Sequence, residues 1–175
     1  TSGVSPKSVT NFSENEALQS FAAGDAAMMR NWPYAWSELQ KDNSKVKGKV
    51  GVTTMVSVDG KNSTATLGSW GLSILNSSKH KFQAYKVISF LTTDSAQKEL
   101  FTLYGYTPTS KKVFEDQSLL TSYPILKILN KALKVTKPRP ESPLYAQFSD
   151  VLQREVSSIL TDEIDIKKAI KKAQN

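Results

Sequence analysis

The chain has 175 residues, with 23 Lys plus Arg against 16 Asp plus Glu, one histidine and no cysteine. Its length and its 39% hydrophobic and 22% charged residues suit one domain, or one and a fraction, with a real core. Zero cysteines exclude disulfides and thiolate chemistry, the lone His80 excludes multi-histidine zinc centres, and no apolar run approaches the roughly 20 residues that cross a bilayer.

Ser13-Glu14-Asn15-Glu16 is a capping box in which Ser13 is expected to bond the third helical amide and Glu16 to reach back. The helix it opens should run to about Ala23 and stop at Gly24. Ala26-Ala27-Met28-Met29 reads as a short buried strand. Pro33 suits the first turn of a helix reaching about Lys41. Lys49 to Val56 is a β-branched strand, and Ser57 to Thr66 is polar, with a turn at Asp59-Gly60. A second apolar strand is expected over Trp70 to Leu75.

From Ser78 the period becomes helical. Ala84, Val87, Ile88 and Leu91 fall on one stripe that is expected to be buried. Asp94-Ser95-Ala96-Gln97 should cap a helix that ends at Gly105. Tyr106 to Thr109 is extended, because the residue before Pro108 avoids the α region. Ile125 to Lys134 is helical, Lys137 to Pro143 is a stiff connector, and two amphipathic helices close the chain. The order is mixed α/β with helices dominating the second half.

The net charge of +7 raises nucleic acid or an anionic surface as partners. Lys127, Lys131 and Lys134 share one helix face, and Lys167, Lys168, Lys171 and Lys172 share another. Each set lies opposite an apolar stripe, the pattern of a solvated helix face. Arginine is too scarce for the usual interleaving of a phosphate-binding surface, so no nucleic-acid partner is expected. His80 sits among lysines without an orienting partner, and no Gly-rich phosphate loop exists. Asp25, Asp59 and Asp150 fall in no catalytic motif. No catalytic residue, metal or cofactor is assigned.

The informative cluster is Trp32-Pro33-Tyr34-Ala35-Trp36, where an expected strand feeds a helix. Aromatic faces suit the C–H faces of sugar rings, and strand ends face the ligand crevice in open α/β sheets. Trp32 and Trp36 are four residues apart, so both cannot leave the helix's buried side. The residues leave core packing and ligand stacking equally open. They favour Trp32 or Tyr34 for the crevice and Trp36 for the core.

Five ordered motifs then carry a resemblance across nearly the whole chain. They are Phe21-Ala22-Ala23-Gly24-Asp25-Ala26-Ala27-Met28, Asn31-Trp32-Pro33-Tyr34-Ala35-Trp36, Leu67-Gly68-Ser69-Trp70, Gly105-Tyr106-Thr107-Pro108-Thr109 and Arg139-Pro140-Glu141-Ser142-Pro143-Leu144-Tyr145. Together they resemble the extracellular solute-binding proteins of ABC sugar importers, in the maltose/trehalose-binding branch. Where that family usually has two glycines before the tryptophan, this chain has Gly68-Ser69.

The resemblance implies an α/β chain that is part of a two-lobe periplasmic-binding-protein fold. It would be mostly the C-terminal lobe, with an excursion into the N-terminal lobe. Residues 1–53 and 109–175 would belong to the C-terminal lobe, and residues 54–108 to the excursion. The start at Thr1, with no initiator Met or signal-like segment, is expected to reflect a cut or processed end. The implied function is binding, without bond chemistry, of a di- or oligosaccharide such as maltose or trehalose, and its delivery to the transmembrane subunits of an ABC permease. The protein would work outside the cytoplasm, in the periplasm or lipid-anchored. Implied ligand contacts are Trp32, Tyr34, Trp36, Gly68, Ser69, Trp70, Tyr106, Arg139 and Tyr145. Unpaired strand edges in the excursion imply that the chain alone can self-associate. The competing classes are a carbohydrate-active enzyme and a basic polyanion-binding module.

Overall fold

The computed structural model describes residues 3–60 and 63–174, so Lys61 and Asn62 of the expected polar stretch lie outside the described residues. Two compact units divide the chain: Thr1–Gln19 with Arg139–Asn175, and Ser20–Pro138.

In the first unit a short 3-10 helix, Lys7–Asn11, packs on the long helix that follows the proline-rich connector. The capping box opens helix α1 (Glu14–Ala23) in altered form. The Glu16 carboxylate accepts from the Ser13 amide at 2.8 Å and from the Ser13 hydroxyl, whereas Ser13 Oγ accepts from Asn15 rather than from the third helical amide. Those bonds, the Ser13 hydroxyl first, hold the Glu16 carboxyl below its usual pKa. Gly24, with φ of +87°, ends the helix as expected.

The second unit carries α2 (Tyr34–Leu39), β1 (Ala65–Thr66), α3 (Lys81–Leu91), α4 (Asp94–Tyr104), α5 (Lys111–Phe114), α6 (Gln117–Ser122), α7 (Ile125–Leu133) and β2 (Thr136–Lys137). Strands β1 and β2 pair in parallel, with Ala65 opposite Thr136 and Thr66 opposite Lys137. Flanking bonds from the Leu67 amide to the Lys137 carbonyl (2.8 Å) and from the Thr64 hydroxyl to the Val135 carbonyl (2.9 Å) extend this short ladder. It ties residues 64–67 to the end of the helical half of the unit.

The core is helical. Phe101 from α4, Val113 and Phe114 from α5, Leu119 from α6, and Ile125, Leu126 and Leu129 from α7 form one buried cluster. Thr93, rather than the expected Asp94, caps α4 by accepting from the Ala96 amide at 3.3 Å. Asp116 caps α6, accepting from the Ser118 and Leu119 amides at 2.9 and 3.2 Å. Lys98 donates to the same carboxylate at 2.6 Å, so α4 and α6 are joined by a charged bond beside the core.

Three expected strands do not form. Residues 26–29, 49–56 and 70–75 have no ladder partner among the described residues, and Met28 is 84% exposed. The physical reason is that a strand's amides and carbonyls are satisfied by a neighbour, so apolar alternation without one leaves irregular chain. The expected stripe on α3 also fails: Val87 is exposed and no α3 residue is buried. The other stripe residues, Ala84, Ile88 and Leu91, are half-buried, and α4 is in contact with α3, so the face is covered only in part.

In the first unit the closing helices are α8 (Tyr145–Leu160) and α9 (Ile166–Gln174), packed on one another with Ala169 fully buried. All seven lysines of the two basic faces are exposed. No described helix is long and apolar enough to cross a membrane.

Two outcomes follow from this packing. Leu126 is 0% exposed at the centre of the cluster. Leu126→Ala should cost about 2–5 kcal/mol, read as a lowered denaturant midpoint. The second outcome concerns Asp116, whose pKa the Lys98 bond, then those from Ser118 and Leu119, depress well below the usual carboxylate range. A depressed carboxylate stabilises the fold above its unfolded pKa, near pH 4 (about 3.9), and that contribution is lost as pH falls through the folded value. Asparagine caps a helix as well as aspartate does, so Asp116→Asn isolates the charge. The variant should lose a little Tm at neutral pH and show a smaller fall in Tm than the parent on acidification below about pH 4. Parallel pH–Tm curves would show that the pair contributes nothing.

Candidate functional site

The aromatic segment is placed by the start of α2. Asn31 Oδ1 accepts from the Trp32 amide at 2.7 Å, fixing the approach to the helix. Pro33 sits at the cap with helical φ, and the Trp32 and Pro33 carbonyls accept the first turn's bonds from Ala35 and Trp36, each at 3.1 Å. Trp32 is therefore outside the helix and Trp36 is inside it. Ala35 and Leu39, four residues apart, form the buried edge of α2.

The two tryptophans take different roles. Trp36 packs against the core cluster and meets Tyr123 edge-on, with centroids 6.2 Å apart and planes at 71°. Tyr123 in turn meets Phe101 edge-on at 5.1 Å. Trp32 remains 37% exposed, and its indole lies against Gly68, just beyond β1. A methyl at position 68 would stand 2.6 Å from Trp32 Cη2 and 3.0 Å from Cζ3. Only a glycine admits this approach of ring to backbone. Gly68 follows β1 by two residues and meets Trp32 across thirty-odd residues of sequence.

Gly105 gives the second close approach. Its φ of +71° is left-handed, and a Cβ there would run into the Ser37 hydroxyl and lie 3.4 Å from Tyr34 Cα. The turn after α4 is thus seated on the first turns of α2. Gln97 holds the following segment, its Oε1 accepting from the Thr109 amide at 2.9 Å and hydroxyl at 3.2 Å. Beside Gly105, Tyr106 is exposed and stacks on Tyr104, with centroids 5.9 Å apart and planes at 26°.

The structure therefore groups the sequence-predicted residues unevenly. It brings Trp32 to Gly68, and Tyr34 to the Gly105-Tyr106 turn. Trp36 belongs to the core side of the same helix. Ser69 is exposed and Trp70 is fully exposed, without a ring contact among the described residues. Arg139 and Tyr145 lie in the first unit, where the guanidinium sits 6.0 Å from the Tyr145 ring centroid and Tyr145 is tilted against Phe148. Sequence reasoning missed Tyr104, Ser37 and Gln97. The signal for Tyr104 was present as Tyr104-Gly105-Tyr106, two rings flanking a helix-ending glycine.

The chemistry on offer is apolar stacking and hydrogen bonding. The carboxyls with lowered pKa, Glu16, Asp42 and Asp116, sit in a cap, in an ion pair with Lys47, and in the α4–α6 bond respectively. Among the described residues no group of three His, Cys, Asp or Glu could hold a metal ion. An open hollow of about 320 Å³ runs along α7 between Phe114, Leu120, Lys127 and Lys131, and none of the sequence-predicted site residues lines it.

The start of α2 thus lays an aromatic ring on a glycine backbone and leaves that ring partly open to a ligand. Residues 1–98 match the bacterial extracellular solute-binding protein family, and the chain belongs to it. Among its relatives is a protein of Deinococcus radiodurans named "Probable ABC transporter-binding protein", 34% identical over 161 residues, which are 90% of this chain and 38% of the relative. Among solved structures it is similar to maltose-bound T. maritima MalE3, with a TM-score of 0.89 and 38% identity over 96% of this chain and 44% of that one. The chain thus spans less than half the length of either protein. The fold is that of part of a periplasmic binding protein, in the α/β class.

The Trp32–Gly68 contact gives a direct outcome. Gly68→Ala should push the indole aside, moving the Trp32 indole N–H resonance by NMR while the Trp36 resonance stays in place. An unmoved Trp32 resonance would mean that the ring does not rest on this backbone in solution.

Proposed function

We propose that this chain is the ligand-binding portion of the substrate-binding component of an ABC sugar importer. It works outside the cytoplasmic membrane and passes a di- or oligosaccharide of the maltose or trehalose type to the permease's transmembrane subunits. The reading rests above all on the half-open Trp32 ring held over Gly68, a flat apolar face beside exposed backbone. A pyranose offers C–H bonds to such a face and hydroxyls to the amides around it. The maltose in the T. maritima neighbour supports the same ligand class.

On this reading residues 1–53 and 109–175 serve the C-terminal lobe, and residues 54–108 the N-terminal one. Trp32 and Tyr34 stack on the sugar from one side, while Gly68, Ser69 and Trp70 approach it from the other. Tyr106 lies near the hinge. The ligand makes contacts in the closed form that the open form lacks, and so shifts the population toward closure. No bond is made or broken.

The test is calorimetry on the full-length protein with maltose, trehalose and longer glucosides, with recovery of the sugar. Intact sugar bound in the micromolar range supports the reading, and hydrolysed sugar overturns it. Removing a stacking ring that already faces water should cost binding more than folding. Trp32→Ala should weaken binding at least tenfold, about 1.4 kcal/mol, with little change in Tm. Trp36→Ala removes a ring from the core and should cost about 3 kcal/mol of stability, seen as a clearly lowered Tm. The reverse assignment of the two effects would displace the site from the start of α2.

A further inference from the structure

Resting on that reading, we propose that Tyr104 and Tyr106 form a second carbohydrate subsite, distinct from the Trp32 ring, which takes an additional pyranose of a longer saccharide. Tyr104 is the last residue of α4, and Tyr106 follows it by two positions. Two residues apart on a continuing helix, their side chains would diverge by about 200°. The left-handed turn at Gly105 reverses the chain instead and lays the rings side by side. At 5.9 Å between centroids and 26° between planes the stack is offset, so each ring keeps a free face.

Both rings stay in water, at 55% and 58% exposure, and neither hydroxyl has a hydrogen-bond partner among the described residues. Ring pairs this exposed forgo the burial that normally holds tyrosines. This pair is nevertheless fixed from behind. Gly105 is clamped against Ser37 and the Tyr34 backbone, and Gln97 holds Thr109 downstream. A stacking surface that is ordered before the ligand arrives saves the ordering cost on binding. The same clamp joins the pair to α2, which Tyr34 opens and Trp32 precedes. The free faces suit the C–H side of a pyranose, and the phenol hydroxyls suit its hydroxyls.

The experiment is calorimetry on the full-length protein and on Tyr104→Ala and Tyr106→Ala, across glucose, maltose, maltotriose and maltotetraose, with Tm measured for each variant. The expected result is an affinity that rises along the series in the parent protein. In both variants that rise should shrink at least tenfold, and in Tyr104→Ala, outside the primary site, affinity for the shortest bound saccharide and Tm should hold. Tyr104→Phe should keep the stack and most of the rise. Equal losses for every saccharide, or no loss for any, overturn the second subsite while leaving the sugar-binding reading intact. A parent protein that binds no saccharide in the series overturns both.

Discussion

The edge-to-face chain from Trp36 through Tyr123 to Phe101 is the contact on which the site's placement depends. It fastens α2, a helix of only six residues, to a core otherwise built from α4 to α7. Six residues cannot hold a helix in water on propensity, since so short a segment barely recovers the cost of nucleation. Tertiary contacts must supply the difference. Ala35 and Leu39 are buried along the same helix, and Gly105 presses on its opposite turns without a Cβ between them. With α2 fixed in this way, the residue just before it, Trp32, is presented rather than buried.

The glycines at 68 and 105 act as spacers of a common kind. At each position a single methyl would separate a ring or a helix from a backbone that it touches. The parallel pairing of β1 with β2 is two residues long, and residue 68 follows β1 by two. Pairing of this length contributes little stability by itself, and it is supported by the Leu67 and Thr64 bonds on its flank. The ladder sets register, and the helical core supplies the energy.

Much of this was legible from local chemistry. Gly24 and Gly105 ended their helices because left-handed φ follows a helix cheaply only at glycine. Pro33 opened α2 because its missing amide is not needed there. The split between Trp32 and Trp36 followed from where that proline sits. The failures lie where a pattern needs a partner. Residues 49–56 and 70–75 have strand composition, but a strand is a property of two segments and no described segment pairs with either. The α3 stripe is covered only in part, with Ala84, Ile88 and Leu91 half-buried, since amphipathic spacing says which face would be buried but not how much of it a neighbour covers. The β1–β2 pairing was illegible from the opposite direction, because Ala65-Thr66 and Thr136-Lys137 carry no strand signal and are joined across about seventy residues. Tyr104 was overlooked because its position at the end of α4 reads as a helical residue, and only the reversal at Gly105 turns it toward Tyr106.

The exposed apolar residues of 52–90 bear on how a solute-binding protein of this kind works. Trp70, Leu72, Leu75, Phe82 and Phe90 are all left in water, more apolar surface than isolated exposed residues account for. The relatives are more than twice as long as this chain, so their additional chain is available to cover such a surface. Under the proposed function these residues serve the opposite lobe from Trp32, yet Gly68 lies against the Trp32 ring itself. A ligand entering there would have to part or replace that contact, exchanging a ring on glycine for a ring on sugar. A pyranose covers more of the ring than the single glycine at its edge does, and it adds hydroxyls, so the exchange gains both stacking and hydrogen bonds. Selectivity among sugars of equal size would then rest on the polar groups around Trp32, and the aromatic faces would set only how many rings the site accepts.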